Sequence, residues 1–141
     1  MTVVVDASVV IKWLINDAER EDQTDRATQL MTRIIDGREP VVQPLHWLVE
    51  VGAVLARVSP ATAVDDVVLL QALELPLDES PSVIGLACLL AIDLRQHLFD
   101  TLYHAVALET PGASLITADD KYFASAASRG GIVRLSEWQE S

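Results

Sequence analysis

The sequence has little cysteine and no long apolar run, and both shortages limit what the protein can be. Cys88 is the only cysteine, so the chain can form neither an internal disulfide nor a cysteine-based zinc cluster. It lies in an apolar segment, where we expect an inert core residue. The longest largely apolar stretch, 83–92, is much shorter than the roughly 20 residues of a membrane-spanning helix. No export signal precedes the first predicted strand, so we expect a soluble protein in the cytoplasm.

Positive charge is also scarce. The 141 residues include 10 Lys and Arg against 21 Asp and Glu, which gives a formal net charge of −11. This balance argues against a protein that binds nucleic acid through a broad basic face, because that mode depends on many Lys and Arg contacts to phosphates. It is compatible with an enzyme whose carboxylates converge on a divalent cation, since the cation supplies positive charge locally.

A strand that ends in a carboxylate opens the chain. Val3, Val4 and Val5 cannot alternate between core and solvent, so they predict an internal strand covered on both faces, as in a parallel sheet. Asp6 follows at the carboxyl end of this strand, where open α/β sheets place their ligand sites. Taken alone, Asp6 could equally well be the cap of the following helix.

The rest of the chain alternates between predicted helices and short strands. Apolar periodicity and turn residues predict helices at 8–15, 24–35, 62–73, 82–95, 99–110 and 119–128, and one more that begins at about Pro44 and carries Glu50. Short strands are predicted at 41–43, 75–77, 114–117 and 132–134. This order predicts one domain, 1–141, with a three-layer α/β/α fold around a central, mostly parallel sheet.

Four acidic residues lie at element boundaries or in apolar surroundings, and each belongs to a different segment: Asp6, Glu50, Asp100 and Asp119. Glu50 interrupts an apolar helix, where a charge facing the core is costly unless it is paired, protonated or metal-bound. Asp119 follows the predicted strand 114–117 and so repeats the geometry of Asp6. Asp120 is the alternative to Asp119, but it is further from the strand end.

Convergence of these four carboxylates would require a cation or protonation. At roughly 4 Å, each like-charged pair would cost about 4 kcal/mol at an effective dielectric constant of about 20. Oxygen ligands favour hard cations, which points to Mg²⁺ or Mn²⁺ rather than zinc.

Polar neighbours of the four acids have two interpretations each. The hydroxyls of Ser8 and Thr117 could hydrogen-bond the carboxylates, or could serve only as a helix cap and a strand-end contact. His46 and His104 each lie four residues from an acid on a shared helix face. Both could approach the site, although a histidine without chemistry is the ordinary outcome. The acidic run 17–25 is expected to be a solvated face, with substrate entry or contact with a protein partner as the alternative.

Four motifs follow one another along the chain and together carry a family resemblance. They are Val5-Asp6-Ala7-Ser8, Pro44-x-x-Trp47-x-x-Glu50-Val51, Phe99-Asp100-x-Leu102-Tyr103 and Leu115-Ile116-Thr117-Ala118-Asp119. In order and spacing this set resembles the PIN-domain family, specifically the VapC-type toxins of bacterial toxin–antitoxin systems. The resemblance spans nearly the whole chain.

The resemblance implies an endoribonuclease that depends on Mg²⁺ or Mn²⁺, with Asp6, Glu50, Asp100 and Asp119 as its catalytic and metal-binding residues. It also implies a homodimer and a cognate VapB-type antitoxin, with which the toxin could form a hetero-oligomer. RNA contacts would have to come from scattered cations such as Lys12, Arg57 and Lys121, because the chain has no basic run.

Two other function classes compete with this one. A phosphoacceptor receiver domain is also a small acidic α/β unit, but it needs an early acidic pair and a central acceptor Asp after its third strand, and the sequence has neither. A catalytically weak PIN-like binding module that acts through a protein partner is the second alternative. The presence of all four acids speaks against it.

Overall fold

The computed structural model describes residues 1–140. Within them are five short strands and seven α-helices, with one or two helices between successive strands. The strands are β1 (Thr2–Val5), β2 (Gln43–Pro44), β3 (Leu77–Asp78), β4 (Ala113–Thr117) and β5 (Ile132–Arg134). The helices are α1 (Ala7–Ile15), α2 (Thr24–Ile35), α3 (Trp47–Val58), α4 (Ala63–Ala72), α5 (Pro81–Leu94), α6 (Leu98–Glu109) and α7 (Asp120–Ala126).

All strand pairs within the described residues are parallel. β4 lies between β1 and β5, and β2 pairs with β3. A bridge between Val3 and Val41 joins these two groups, so β1 has neighbours on both sides. Val3, Val4 and Val5 are fully buried, as expected for an internal strand covered on both faces. The predicted α/β fold with a parallel sheet flanked by helices is confirmed.

The predicted helices occur with small shifts at their ends. α2 matches its predicted range, and its buried residues Ala27, Leu30, Met31 and Ile34 recur at steps of three and four. α5 begins at Pro81, where the missing N–H is not needed because the first helical N–H groups have no partner within the helix. No helix in residues 1–140 combines the length and apolar character that crossing a membrane requires.

The prediction that Pro44 begins a helix is wrong. Pro44 lies in β2, opposite Asp78 of β3, and α3 begins at Trp47. The link between the strands is made by the neighbouring Gln43, whose N–H donates to the Pro76 carbonyl at 2.8 Å. A proline fits at this strand end because its position does not require a donor.

The prediction that Cys88 is a core residue is also wrong, since its side chain is exposed. α5 buries Val83, Ala87 and Leu90 and exposes the neighbouring apolar positions Leu89 and Ile92. A helix that is apolar on all sides gives no periodic signal for its buried face. The sequence therefore could not locate Cys88 relative to the core.

Gln43 holds the end of β1 with its side chain. Its amide oxygen accepts a hydrogen bond from the Val5 N–H at 2.7 Å, and its amide nitrogen donates to the Val5 carbonyl at 2.9 Å. The side chain is fully buried. It therefore satisfies both backbone groups of the residue before Asp6, where β2 no longer pairs with β1 through its own backbone.

Replacement of Gln43 by Leu should destabilise the protein. The change leaves the buried Val5 N–H and carbonyl without partners, at about 1–3 kcal/mol for each group. Urea unfolding followed by circular dichroism measures the loss. Gln71→Leu, at an exposed position of α4, is the matched control and should change stability by less than about 0.5 kcal/mol. Equal stability of the two variants would contradict the role of Gln43.

Candidate metal centre

The carboxyl ends of β1 and β4 bring Asp6 and Asp119 to the same edge of the sheet. Val5 lies opposite Ile116 in the parallel register, and the Asp6 N–H donates to the Ile116 carbonyl at 3.0 Å. Each aspartate is also the N-cap of the helix that follows its strand, α1 for Asp6 and α7 for Asp119. A helix N-terminus carries a partial positive charge, which favours carboxylates at these two positions.

Helices α3 and α6 add the other two predicted acids to this edge. Glu50 lies in the first turn of α3 and Asp100 in the first turn of α6. Together with Asp6 and Asp119 they line one cavity of about 300 Å³. The cavity thus contains one carboxylate from each of the four segments that the sequence singled out. Asp120 lies outside it, with its side chain 82% exposed and 3.9 Å from Arg134.

Hydroxyl groups fix the orientation of the Asp6 carboxylate. Its Oδ2 accepts from the Ser8 hydroxyl at 2.5 Å, from the Ser8 N–H at 3.2 Å and from the Thr117 hydroxyl at 3.3 Å. The same two hydroxyls accept from the next strand end, Ser8 from the Ala118 N–H and Thr117 from the Asp119 N–H, both at 3.0 Å. The N-cap of α1 is Asp6 itself, so a capping role for Ser8 is wrong.

The electrostatics of the cavity disfavour four separate negative charges. The pKa of Asp6 is raised to about 6, chiefly by burial and in smaller part by Glu50 and Asp100, against the opposing hydrogen bonds from Ser8. Burial also raises the pKa of Asp100, and Glu50 and Asp119 add to that increase. Asp6 and Asp100 therefore hold protons more tightly than aspartates in water, unless a cation compensates their charge.

A model of the PIN domain matches residues 3–128, a span that contains all four acids. The chain belongs to the PIN domain family. PIN domains are generally nucleases, and they typically use divalent metal ions. The comparison with curated proteins gives no match.

The oxygens of this PIN domain's acidic cavity fit a hard cation in chemistry and charge. Glu50 Oε2 is buried without a hydrogen-bond partner among the described residues. All three donors to Asp6 bind Oδ2, which leaves Oδ1 without one, and the Tyr122 N–H binds only Oδ1 of Asp119. Within residues 1–140, Asp6 and Asp119 thus each present an oxygen that accepts no hydrogen bond, and His46 Nε2 lies 3.0 Å from Glu50 Oε2 but makes no hydrogen bond to it. Carboxylate oxygens are the ligands that Mg²⁺ and Mn²⁺ prefer.

The geometry of these carboxylates is open. Within residues 1–140, no three His, Cys, Asp or Glu side chains are grouped closely enough to hold a metal ion. The four acids line the cavity without meeting at one point. Coordination of a cation by several of them would therefore require their side chains to turn further into the cavity.

The two histidines differ in their relation to the cavity. His46 approaches it, with Nε2 3.0 Å from Glu50 Oε2 and 2.9 Å from the Phe99 carbonyl. The carbonyl can only accept, so Nε2 carries the proton and directs it at Phe99. His104 is buried away from the cavity and bonds the Tyr122 hydroxyl at 2.9 Å and the Gly130 carbonyl at 2.7 Å.

Three side chains at the site had not been assigned to it from the sequence. Tyr103 is fully buried beside Glu50 and Asp6, and burial together with these acids holds the pKa of its hydroxyl well above the usual value. Its position three residues after Asp100 was the available signal. Lys12 and Glu21 line the cavity too. Most acids of the run 17–25 are exposed, as predicted for a solvated face, but Glu21 departs from it, because its side chain is only 26% exposed and bonds Lys12.

Removal of the Asp6 charge should stabilise the protein when no divalent metal is present. The unfolded chain loses this proton at about pH 3.8 and the folded chain at about pH 6, so stability decreases as the pH rises through this window. The difference amounts to about 3 kcal/mol at neutral pH. We expect Asp6→Asn to raise the melting temperature in EDTA at pH 7.5.

Divalent metal should reverse the order of the two melting temperatures, so that the wild type becomes more stable than Asp6→Asn. Mg²⁺ or Mn²⁺ at millimolar concentration should stabilise the wild type and leave Asp6→Asn nearly unchanged. Asp65→Asn, at an exposed position of α4, is the control and should behave as the wild type. A wild-type melting temperature that changes with neither Mg²⁺ nor Mn²⁺ would contradict the metal site.

His104 should make stability decrease in mild acid. Its Nε2–H must donate to the Gly130 carbonyl, so Nδ1 accepts from Tyr122 and the ring is neutral. Burial lowers the pKa of His104 below its ordinary value of 6.5. Its contribution to stability is complete above pH 6.5 and is lost as the pH falls towards the lower folded-state value. His104→Gln keeps a donor and an acceptor without titrating, and thermal unfolding between pH 5 and 7 should show a smaller slope for it. An unchanged slope would refute this assignment.

Proposed function

We propose that this PIN domain is a metal-dependent endoribonuclease that hydrolyses RNA phosphodiester bonds with Mg²⁺, or Mn²⁺ in its place, and that it acts as the toxin of a VapBC-type toxin–antitoxin pair. One observation carries the proposal. Carboxylates from four separate segments line a single cavity at the carboxyl edge of the sheet, in a chain of a family whose members are generally nucleases.

The acidic residues are assigned roles according to how they are held. Asp6 and Asp119 lie on strand ends with one oxygen anchored by protein donors and the other free, and we assign them as direct ligands. Asp100 would bind the metal or position water, and Glu50 would be a further ligand or act through water. Ser8 and Thr117 donate to Oδ2 of the Asp6 carboxylate and so restrict its orientation, while Oδ1 is left for a cation.

When bound, the cation activates water and neutralises charge that develops on the phosphoryl oxygens. Asp6 and Asp119 are the N-caps of α1 and α7, which holds both carboxylates at this edge of the sheet. Because the chain has a net charge of −11, affinity for RNA should depend on the metal and on local shape more than on long-range attraction.

A homodimer and an antitoxin complex are part of the same proposal. Exposed apolar side chains project from α4 and α5, and several are more than half exposed: Val64, Val68, Ile84, Leu89 and Ile92. Groups of apolar residues of this kind are typical of protein–protein contact surfaces. They support a protein partner and also suit the alternative function, a catalytically weak PIN-like module that acts through binding alone.

Cleavage of RNA by matched aspartate variants separates the two functions. Asp119→Asn should reduce Mn²⁺-dependent cleavage of total RNA by more than about 100-fold, since loss of a metal ligand should exceed the effect of a supporting residue. Asp120→Asn makes the same chemical change one residue away, outside the cavity, and should stay within about twofold of wild type. Equal cleavage by wild type and Asp119→Asn would place the activity elsewhere and favour the binding module.

A further inference from the structure

Lys12 is the one cationic side chain among those that line the acidic cavity of the described chain. It lies on α1, one helical turn after Ser8, so the helix directs it to the same side as the Asp6 network. Its side chain is only 9% exposed. A lysine side chain is rarely this deeply buried, and Lys12 has no part in the proposed metal contacts.

Two carboxylates from the loop 16–23, which connects α1 to α2, bind the Lys12 ammonium. Glu21 Oε2 is 3.1 Å from Nζ and Asp22 Oδ1 is 2.6 Å away. Burial opposes the charged form, but these two carboxylates outweigh it and raise the pKa of Lys12. The ammonium is therefore charged at neutral pH. It has three N–H donors, of which the loop occupies two.

The two carboxylates differ in how easily they could be replaced. The Asp22 side chain is 79% exposed, whereas that of Glu21 is 26% exposed and lines the cavity. Water can solvate the exposed Asp22 carboxylate once it is released, but the buried Lys12 ammonium needs an anionic acceptor in its place. A phosphate oxygen is such an acceptor, so exchange of Asp22 for phosphate costs much less than loss of the ion pair.

A phosphodiester that enters the cavity meets carboxylates on several sides. Lys12 is the only protein group in the lining that attracts it by charge. The scattered surface cations of the chain do not line the cavity, so they cannot play this part. The ion pair with the loop thus occupies the Lys12 ammonium, which is the group in the lining of the described cavity that can bind a substrate phosphate by charge.

We propose that Lys12 binds a phosphate of the RNA substrate and that Glu21 and Asp22 compete with RNA for it, so that the loop 16–23 attenuates the nuclease. This inference rests on the proposed function. It differs from a purely structural ion pair, which would join the loop to α1 and would affect stability without affecting the affinity for substrate.

Neutral variants of the loop acids provide the test. Glu21→Gln combined with Asp22→Asn should lower KM for a short RNA by about fivefold with little change in kcat, because the ammonium is no longer occupied. Glu19→Gln combined with Asp25→Asn changes the net charge equally at two exposed positions that do not bond Lys12. This control should leave KM within about twofold of the wild type.

Variants of Lys12 complete the thermodynamic cycle. Lys12→Met should raise KM at least tenfold, Lys12→Arg should recover much of the loss, and the loop variant should have no effect on KM in the Lys12→Met background. Melting temperatures are measured for every variant. A loop variant that only lowers the melting temperature, with KM equal to the control pair, would overturn the proposal in favour of a structural ion pair.

Binding of a 2′-O-methyl RNA oligonucleotide, measured over times at which gel electrophoresis shows it intact, separates this inference from the proposed function. Wild type and Asp119→Asn are compared in cleavage, and wild type and Lys12→Met in binding. Loss of binding in Lys12→Met with no cleavage by the wild type would support phosphate binding and reject the nuclease. Cleavage that depends on Asp119, together with equal binding by wild type and Lys12→Met, would reject the role of Lys12 alone. A wild type that neither cleaves nor binds RNA overturns both.

Discussion

Burial of the Asp6 carboxylate beside other acids is the interaction on which the rest of the site depends. Three hydrogen bonds hold one of its oxygens, yet burial and the charges of Glu50 and Asp100 raise its pKa to about 6. The fold thus contains a carboxylate whose charged form is unfavourable when no cation is nearby. Such strain is common where a site awaits a ligand of opposite charge, since the ligand's binding energy offsets the cost of the empty arrangement.

The sheet provides the rigidity that this arrangement requires. Val3, Val4 and Val5 of β1 are fully buried, and the strand is held on one side by β4 and on the other by the Gln43 side chain. Ser8 and Thr117 then link the ends of β1 and β4 through the Asp6 carboxylate. Hydrogen bonds from β4, Gln43 and the first turn of α1 therefore position the end of β1 and Asp6, and α3 and α6 add Glu50 and Asp100 to the cavity.

Charge explains how an acidic chain could act on an acidic polymer. With a net charge of −11 the protein has no field that attracts RNA over long distances. If the protein cleaves RNA as proposed, attraction would have to be local, from a cation among the carboxylates and from Lys12 in the cavity lining. A site of this kind favours substrates that fit it closely, and its activity can be limited simply by occupying its few positive charges.

The sequence by itself determined the α/β class, the internal position of β1 and the choice of the four acids that line one cavity. Three adjacent valines, helical periodicity and acids at strand ends are local signals. It predicted helix α2 to the residue, and it favoured Asp119 over Asp120, which the structure places outside the cavity. Only the tertiary structure decided that Gln43 binds Val5, that Cys88 faces solvent and that Lys12 and Glu21 meet in the cavity. These contacts join residues whose local sequence looks ordinary, and they exist only once the strands and the α1–α2 loop have been packed together.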